Sequence, residues 1–140
     1  MTVHLGRRYG FPAAHRLYSH LLDEEQNRAL FGKCANPYGH GHNYEFELDL
    51  RGPVDPVTGR AADLPALDAM VEREILSVFR HTNLNDLPPF RETVPTTENL
   101  AVEVLKLLKK AWPAEPALGQ VVLEKVRIWE TERNICELSA

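Results

Sequence analysis

The stretch His40-Gly41-His42-Asn43-Tyr44-Glu45-Phe46-Glu47-Leu48-Asp49-Leu50 decides how this chain is read. His40, His42, Tyr44, Phe46, Leu48 and Leu50 fall on one side of a period of two, and Asn43, Glu45, Glu47 and Asp49 on the other. That alternation is a half-buried β-strand. Its apolar stripe ends in two imidazoles on the same face, the placement a metal site requires. Cys34, six residues before His40, adds a thiol to the same neighbourhood.

Working outward, Val3, Leu5, Arg7, Tyr9 and Phe11 alternate with His4, Gly6, Arg8 and Gly10, which predicts a first strand ended by Pro12. His15 follows, with the parity of Tyr9 and Phe11. Asp23 to Phe31 reads as a short helix closed by Gly32. Beyond the second strand, Asp55-Pro56-Val57-Thr58-Gly59 is a turn, and the chain is expected to return as a hairpin through residues 58–62. Asp63 then caps a helix whose apolar positions are Leu64, Leu67, Val71, Ile75 and Val78. Thr96 or Thr97 caps another, with Leu100, Val104, Leu107, Leu108 and Ala111 on one face and Pro113 and Pro116 at its end. Residues 121–130 alternate again, with Val122, Val126 and Ile128 inward, and a turn at 131–134 leads to a closing strand, Ile135 to Leu138. The order ββααββ predicts one α+β domain over residues 1–140, two helices on one face of an antiparallel sheet.

Composition narrows the function classes. The chain has 140 residues, 44% hydrophobic and 26% charged, enough for a core without disulfide staples. A net charge of −4 gives no general attraction to nucleic acid. No stretch approaches the length of a membrane span. Two cysteines, Cys34 and Cys136, make no disulfide framework and point to a reducing, cytoplasmic setting, with Cys136 read as core.

His15 is the best third ligand beside His40 and His42, because its strand would pair with theirs. Three neutral imidazoles with an open fourth position form a catalytic zinc pattern. A His-x-His pair alone more often consists of ordinary polar residues at a strand start. Cys34 has three readings: a fourth zinc ligand, a small buried hydrophobe, or a thiolate whose pKa is lowered by zinc-bound histidines or by His81. Glu130 shares parity with Val126 and Ile128, so a carboxylate points to the apolar side, either solvated at the rim or hydrogen-bonded to a ligand. Glu124 has that parity too, so parity alone does not single out Glu130. Thr96-Thr97-Glu98-Asn99 reads by itself as a helix cap with an acid in the first turn.

Taken together, Phe11-Pro-Ala-Ala-His-Arg-Leu17, Leu30-Phe-Gly-Lys-Cys34, the Asn36-Pro-x-Gly-His-Gly-His-Asn-Tyr44 run, Asp55-Pro-x-Thr-Gly59, Thr96-Thr-Glu-Asn99 and Trp129-Glu-Thr131 make the chain resemble 6-pyruvoyltetrahydropterin synthases from about Tyr9 to Leu138. The resemblance implies the tunnelling or T-fold, ββααββ subunits in rings, commonly a hexamer of two trimers with active sites at subunit interfaces. It implies zinc on His15, His40 and His42, Cys34 as nucleophile or base, and His81 as relay. Glu130 becomes the anchor of a pterin ring, with Thr96, Thr97 and Glu98 helping to hold it. The implied substrate is 7,8-dihydroneopterin triphosphate, with Lys33, Arg16 and Arg28 as candidates for triphosphate contact. One position departs: the family commonly has an aspartate before the relay histidine, and this chain has Arg80, with Asp86 a substitute from the same loop. Two other functions are implied as alternatives. One is 6-carboxytetrahydropterin synthase of queuosine synthesis, although the five-residue gap Ala35–Gly39 matches the pyruvoyl-forming group. The other is a zinc- and pterin-binding homologue with weak lyase activity.

Overall fold

In the computed structural model, which describes residues 1–140, the alternating stretch becomes strand β2, His40–Pro53. Tyr44, Phe46, Leu48 and Leu50 are buried on its inner side, as the period of two requires. It pairs antiparallel with β1, Thr2–His15, along the full length of both strands, from Thr2 opposite Pro53 to His15 opposite His40. Strands β4 (Val122–Trp129) and β5 (Ile135–Ser139) extend the sheet beyond β2. A two-residue parallel addition, β3 (Thr82–Asn83), covers only Ala13 and Ala14 on the far side of β1, giving the order β3-β1-β2-β4-β5.

Two of the three helices pack on one face of the sheet. Asp23 caps α1 (Glu24–Phe31) in a capping box with Gln26, and Gly32 ends it. Asp63 caps α2, which runs Leu64–Val71, passes through a π-turn at Glu72–Leu76 and closes at Ser77–Phe79. Thr96 caps α3, Thr97–Ala111. Leu67, Met70, Val71, Ile75 and Phe79 from α2 and Leu100, Val104 and Leu108 from α3 pack on Phe11, Phe46, Leu48, Val126 and Ile128 of the sheet. Burying such side chains contributes about 1.5–3 kcal/mol each.

Four local expectations are corrected. Pro12 does not end the first strand, which continues to His15. The carbonyl of Pro12 accepts from the His81 N–H at 2.8 Å on the side away from β2, so its missing N–H costs no β1–β2 bond. Residues 58–62 form no returning strand, because the place beside the end of β2 is taken by β4, with Val122 opposite Arg51. Val78 stays partly exposed while Phe79 is buried, because the wider π-turn inserts one residue into the helical phase. Val122 is likewise exposed: a bulge pairs Asp49 with Lys125 but Leu50 with Leu123, leaving Glu124 unpaired and reversing parity beyond it. Glu124 therefore turns to the outer face, where it meets Arg51 at 2.6 Å and His4 at 3.0 Å. The bulge separates the two glutamates that parity had left equivalent.

Gly39, just before β2, has φ +65°, and a Cβ there would lie 2.5 Å from the His15 carbonyl oxygen. Gly39→Ala is expected to cost roughly 2 kcal/mol or more from strain and clash. Chemical denaturation would read this as a lowered midpoint, whereas Gly59→Ala, with open space around it, shows only the backbone strain.

Candidate metal centre

Strand pairing builds the site. With His15 opposite His40 and Ala13 opposite His42, three inner-face imidazoles converge where the apolar stripe ends. Ring centroids lie 5.3 Å apart for His15 and His40, 4.8 Å for His15 and His42, and 4.5 Å for His40 and His42. The 3₁₀ turn Gly32–Ala35 after α1 brings in Cys34, and the Leu17 N–H donates to the Cys34 carbonyl at 2.7 Å, tying that turn to the segment after β1. One ligand atom from each of His15, Cys34, His40 and His42 lies within 4.8 Å of the others. Ligands of one tetrahedral zinc ion stand about 3.3–3.7 Å apart, so this donor set fits a metal with small rotations.

His15 is 1% exposed, and its Nδ1 lies 3.1 Å from the Pro95 carbonyl, an oxygen that only accepts. Nδ1 therefore carries the proton and Nε2 presents its lone pair, 3.1 Å from His42 Nε2. Orientation of a ligand ring by a backbone carbonyl is the usual outer support of a metal-binding histidine. The Tyr44 hydroxyl, 3.0 Å from the same Nδ1, closes the site underneath. Burial pushes His15 down to about 4, partly offset by the Glu130 charge, and pushes His42 down for the same reasons. Both rings are neutral at pH 7, the form that binds metal.

Cys34 Sγ sits 2.9 Å from His40 Nε2. Its expected low pKa is not a property of the chain: burial first and the Glu130 charge second push the thiol up. No cationic side chain offsets them.

Glu130 follows β4 directly and is 8% exposed. The Thr97 hydroxyl donates to its Oε2 at 2.9 Å and Asn134 Nδ2 to its Oε1 at 3.3 Å, while Oε1 lies 3.8 Å from His42 Nε2. A carboxylate has about four lone-pair positions, so two remain for a ligand's N–H groups. Asn134 also donates to the Thr97 hydroxyl at 3.1 Å. This residue was missed from sequence, where it appeared only as part of a turn.

The other predicted residues are distributed differently. The Thr96 hydroxyl is spent as the α3 cap, accepting from the Asn99 N–H at 3.2 Å, and Glu98 is exposed in the first turn. His81, at φ +57°, is exposed and lines a cleft with Pro12, Ala14, Gly41 and Asn43 on the outer face of the sheet. Within one chain it is not part of the cluster of ligand atoms that includes Cys34. Arg80 is held by Glu72 through two hydrogen bonds of 2.9 and 2.7 Å. Asp86 is exposed in the turn Leu84–Asp86 and forms no hydrogen bond or ion pair with His81. Cys136, half-buried in β5, packs against the core.

A family model described as 6-pyruvoyl tetrahydropterin synthase matches residues 4–140. The human 6-pyruvoyl tetrahydrobiopterin synthase is 44% identical over 132 residues, 94% of this chain and 87% of its own length. The solved structure of the Caenorhabditis elegans 6-pyruvoyl tetrahydropterin synthase superposes with a TM-score of 0.88 at 39% identity, covering 100% of this chain and 96% of that one. A putative 6-carboxy-5,6,7,8-tetrahydropterin synthase of Archaeoglobus fulgidus is 28% identical over 134 residues, 96% of this chain and 93% of its own length.

The buried neutral histidines give the metal-free chain a definite pH dependence. A histidine whose folded pKa lies below its unfolded value of 6.5 takes up a proton on unfolding, so its contribution is whole above 6.5 and is lost as pH falls towards 4. For His15 that is about 3 kcal/mol, with His42 acting in the same direction. Denaturant unfolding of chelator-treated protein between pH 7 and 4 should show this decline, and His15→Gln should flatten it.

Proposed function

This chain belongs to the 6-pyruvoyl tetrahydropterin synthase family, and from that membership we propose that it is a zinc-dependent carbon–oxygen lyase converting 7,8-dihydroneopterin triphosphate to 6-pyruvoyltetrahydropterin with elimination of triphosphate. One observation carries the reading: three imidazoles and a thiol converge beside a buried carboxylate that retains free acceptor positions. Pyruvoyl formation is favoured over carboxy formation by relatedness, 44% identity to the human enzyme against 28% to the archaeal protein.

His15, His40 and His42 would hold the zinc. Bound there, the ion supplies Lewis-acid polarisation of the substrate's side-chain hydroxyls and a positive charge that the thiol otherwise lacks. Glu130, steadied by Thr97 and Asn134, receives two N–H groups from the guanidine-like edge of the pterin. Thr96 and Glu98 support this end of the pocket through the α3 cap. Cys34 removes the side-chain proton as general base, and His81 relays protons during the internal redox steps. Since His81 lies outside the cluster around Cys34 in its own chain, the relay is assigned to an adjacent subunit.

An oligomer suits the free edges of the sheet. The outer edge of β5 is unpaired, and β1 lacks a partner opposite β2 along most of its length, where β3 covers only Ala13 and Ala14. Such edges template pairing with another chain. We assign them to a homo-oligomeric ring, a hexamer made of two trimers, in a reducing, cytoplasmic setting.

Purified holoenzyme is expected to release one triphosphate per 6-pyruvoyltetrahydropterin formed, and release of acetaldehyde would transfer the chain to the carboxy-forming group. Cys34→Ala should keep one metal per chain while turnover falls a hundredfold or more. Loss of the metal would instead make Cys34 a fourth ligand. Mixing inactive Cys34→Ala and His81→Ala subunits by unfolding and reassembly should restore about a quarter of wild-type activity, because that fraction of interfaces pairs two intact residues. No recovery would place both residues' action within one chain.

A further inference from the structure

Of the motif Thr96-Thr97-Glu98-Asn99, one residue has no part in the lyase reading: Asn99. Thr96 caps α3, Thr97 supports Glu130, and Glu98 is exposed in the first turn. Asn99 is half-buried, and its own N–H is the one that the Thr96 hydroxyl caps, at 3.2 Å. Its side chain turns back past the cap. There Nδ2 donates to the Val94 carbonyl at 2.8 Å, and since a carbonyl only accepts, the nitrogen of the amide must face it.

That bond holds a short strap, Val94-Pro95-Thr96-Thr97, which touches both halves of the site. The Pro95 carbonyl lies 3.1 Å from Nδ1 of His15 and fixes which nitrogen of that ring is free. Two residues on, the Thr97 hydroxyl donates to Glu130 Oε2 at 2.9 Å. Pro95 and Thr97 are both buried, while Arg91, Glu92 and Thr93, which lead into the strap, are exposed and lie in no helix or strand. Pro95 has no N–H, so the strap has little main-chain bonding of its own. The Val94 carbonyl accepts from the Thr96 N–H at 2.8 Å, and apart from His15 the only side chain that bonds the main chain of residues 93–95 is that of Asn99. Behind Asn99, α3 is anchored in the core by Leu100, Val104 and Leu108. Asn99 thus ties the strap to an element that the core already fixes.

We propose that Asn99 is a positioning residue for both ligands of this site. Through Val94 it holds the Pro95 carbonyl against His15 and the Thr97 hydroxyl against Glu130, so one side-chain hydrogen bond sets the geometry for metal and pterin together. The proposal deepens the lyase reading and rests on its assignment of zinc to the histidines and of the pterin edge to Glu130. Asn99 touches neither ligand, and its effect is transmitted as orientation. Loss of a partner that orients a metal ligand directly costs about ten- to a hundredfold in metal affinity, and Asn99 stands one bond further out.

Asn99→Asp isolates that bond. It keeps the size of the side chain and puts an acid in the first turn of α3, which the helix favours, but removes the donor to Val94. Competition with a chelator reads zinc affinity, and calorimetric titration of dihydroneopterin into zinc-saturated protein reads the pterin end. Both affinities should fall about fivefold, with the denaturation midpoint close to that of wild type. Asn99→Ala, which lacks the donor without adding a charge, should lower the same two affinities. Thr97→Val is the reference: it should weaken dihydroneopterin and leave zinc at wild-type affinity. Wild-type affinity for both ligands in the two Asn99 variants would overturn the proposal, as would a loss confined to one ligand. Should wild type bind zinc but no dihydroneopterin, the lyase reading fails instead, while a loss of zinc affinity in the Asn99 variants still supports the hold on His15.

Discussion

The rest of the structure depends on the register between the first two strands. Fourteen consecutive pairs, Thr2–Pro53 to His15–His40, set which side of each residue meets the helices. A slip of one residue would turn Tyr44, Phe46, Leu48 and Leu50 to solvent and Glu45, Glu47 and Asp49 to the core. The aromatic stack of Phe11 on Tyr44, with centroids 5.4 Å apart, and of Phe11 on Phe79, 5.7 Å apart, locks that register immediately beneath the histidines. The candidate metal centre is therefore the polar end of the same stripe that stabilises the sheet, held by packing it did not have to create.

Placing imidazoles at the end of a hydrophobic stripe also decides their chemistry. Desolvation keeps His15 and His42 neutral, and the carbonyl of Pro95 settles which nitrogen of His15 is free. The same desolvation, with Glu130 nearby, keeps Cys34 protonated in the metal-free chain. A site of this kind is arranged for a cation: everything it lacks electrostatically is positive charge, and the only local carboxylate is engaged by Thr97 and Asn134.

Much of this was legible in the linear pattern. The histidine pair, the third histidine at matching parity, the caps at Asp23, Asp63 and Thr96, and the strand that leads to Glu130 follow from periods of 2 and 3.6 and from capping chemistry. The errors came where one residue is inserted. The π-turn at Glu72–Leu76 exchanged Val78 for Phe79, and the bulge at Glu124 reversed the parity of Val122. Neither has a local signature, because both are imposed by the neighbours against which the element packs. Pro12 misled for a related reason: proline is compatible with a strand edge, and which edge is free depends on the whole sheet.

Sequence by itself determined the layered α+β class, the inner faces of the first two strands and the convergence of His15, His40 and His42, because side-chain periodicity is a property of the backbone wherever no residue is inserted. Contacts between distant segments were decided only by tertiary structure. Among them are the support of Glu130 by Thr97 and Asn134, the choice of Glu130 over Glu124, and the gathering of Arg16, Arg28 and Lys33 around one cavity. His81 shows the same division. The family resemblance suggested a proton relay, but its position in a cleft with Pro12, Ala14, Gly41 and Asn43 is set by how the short β3 docks along β1.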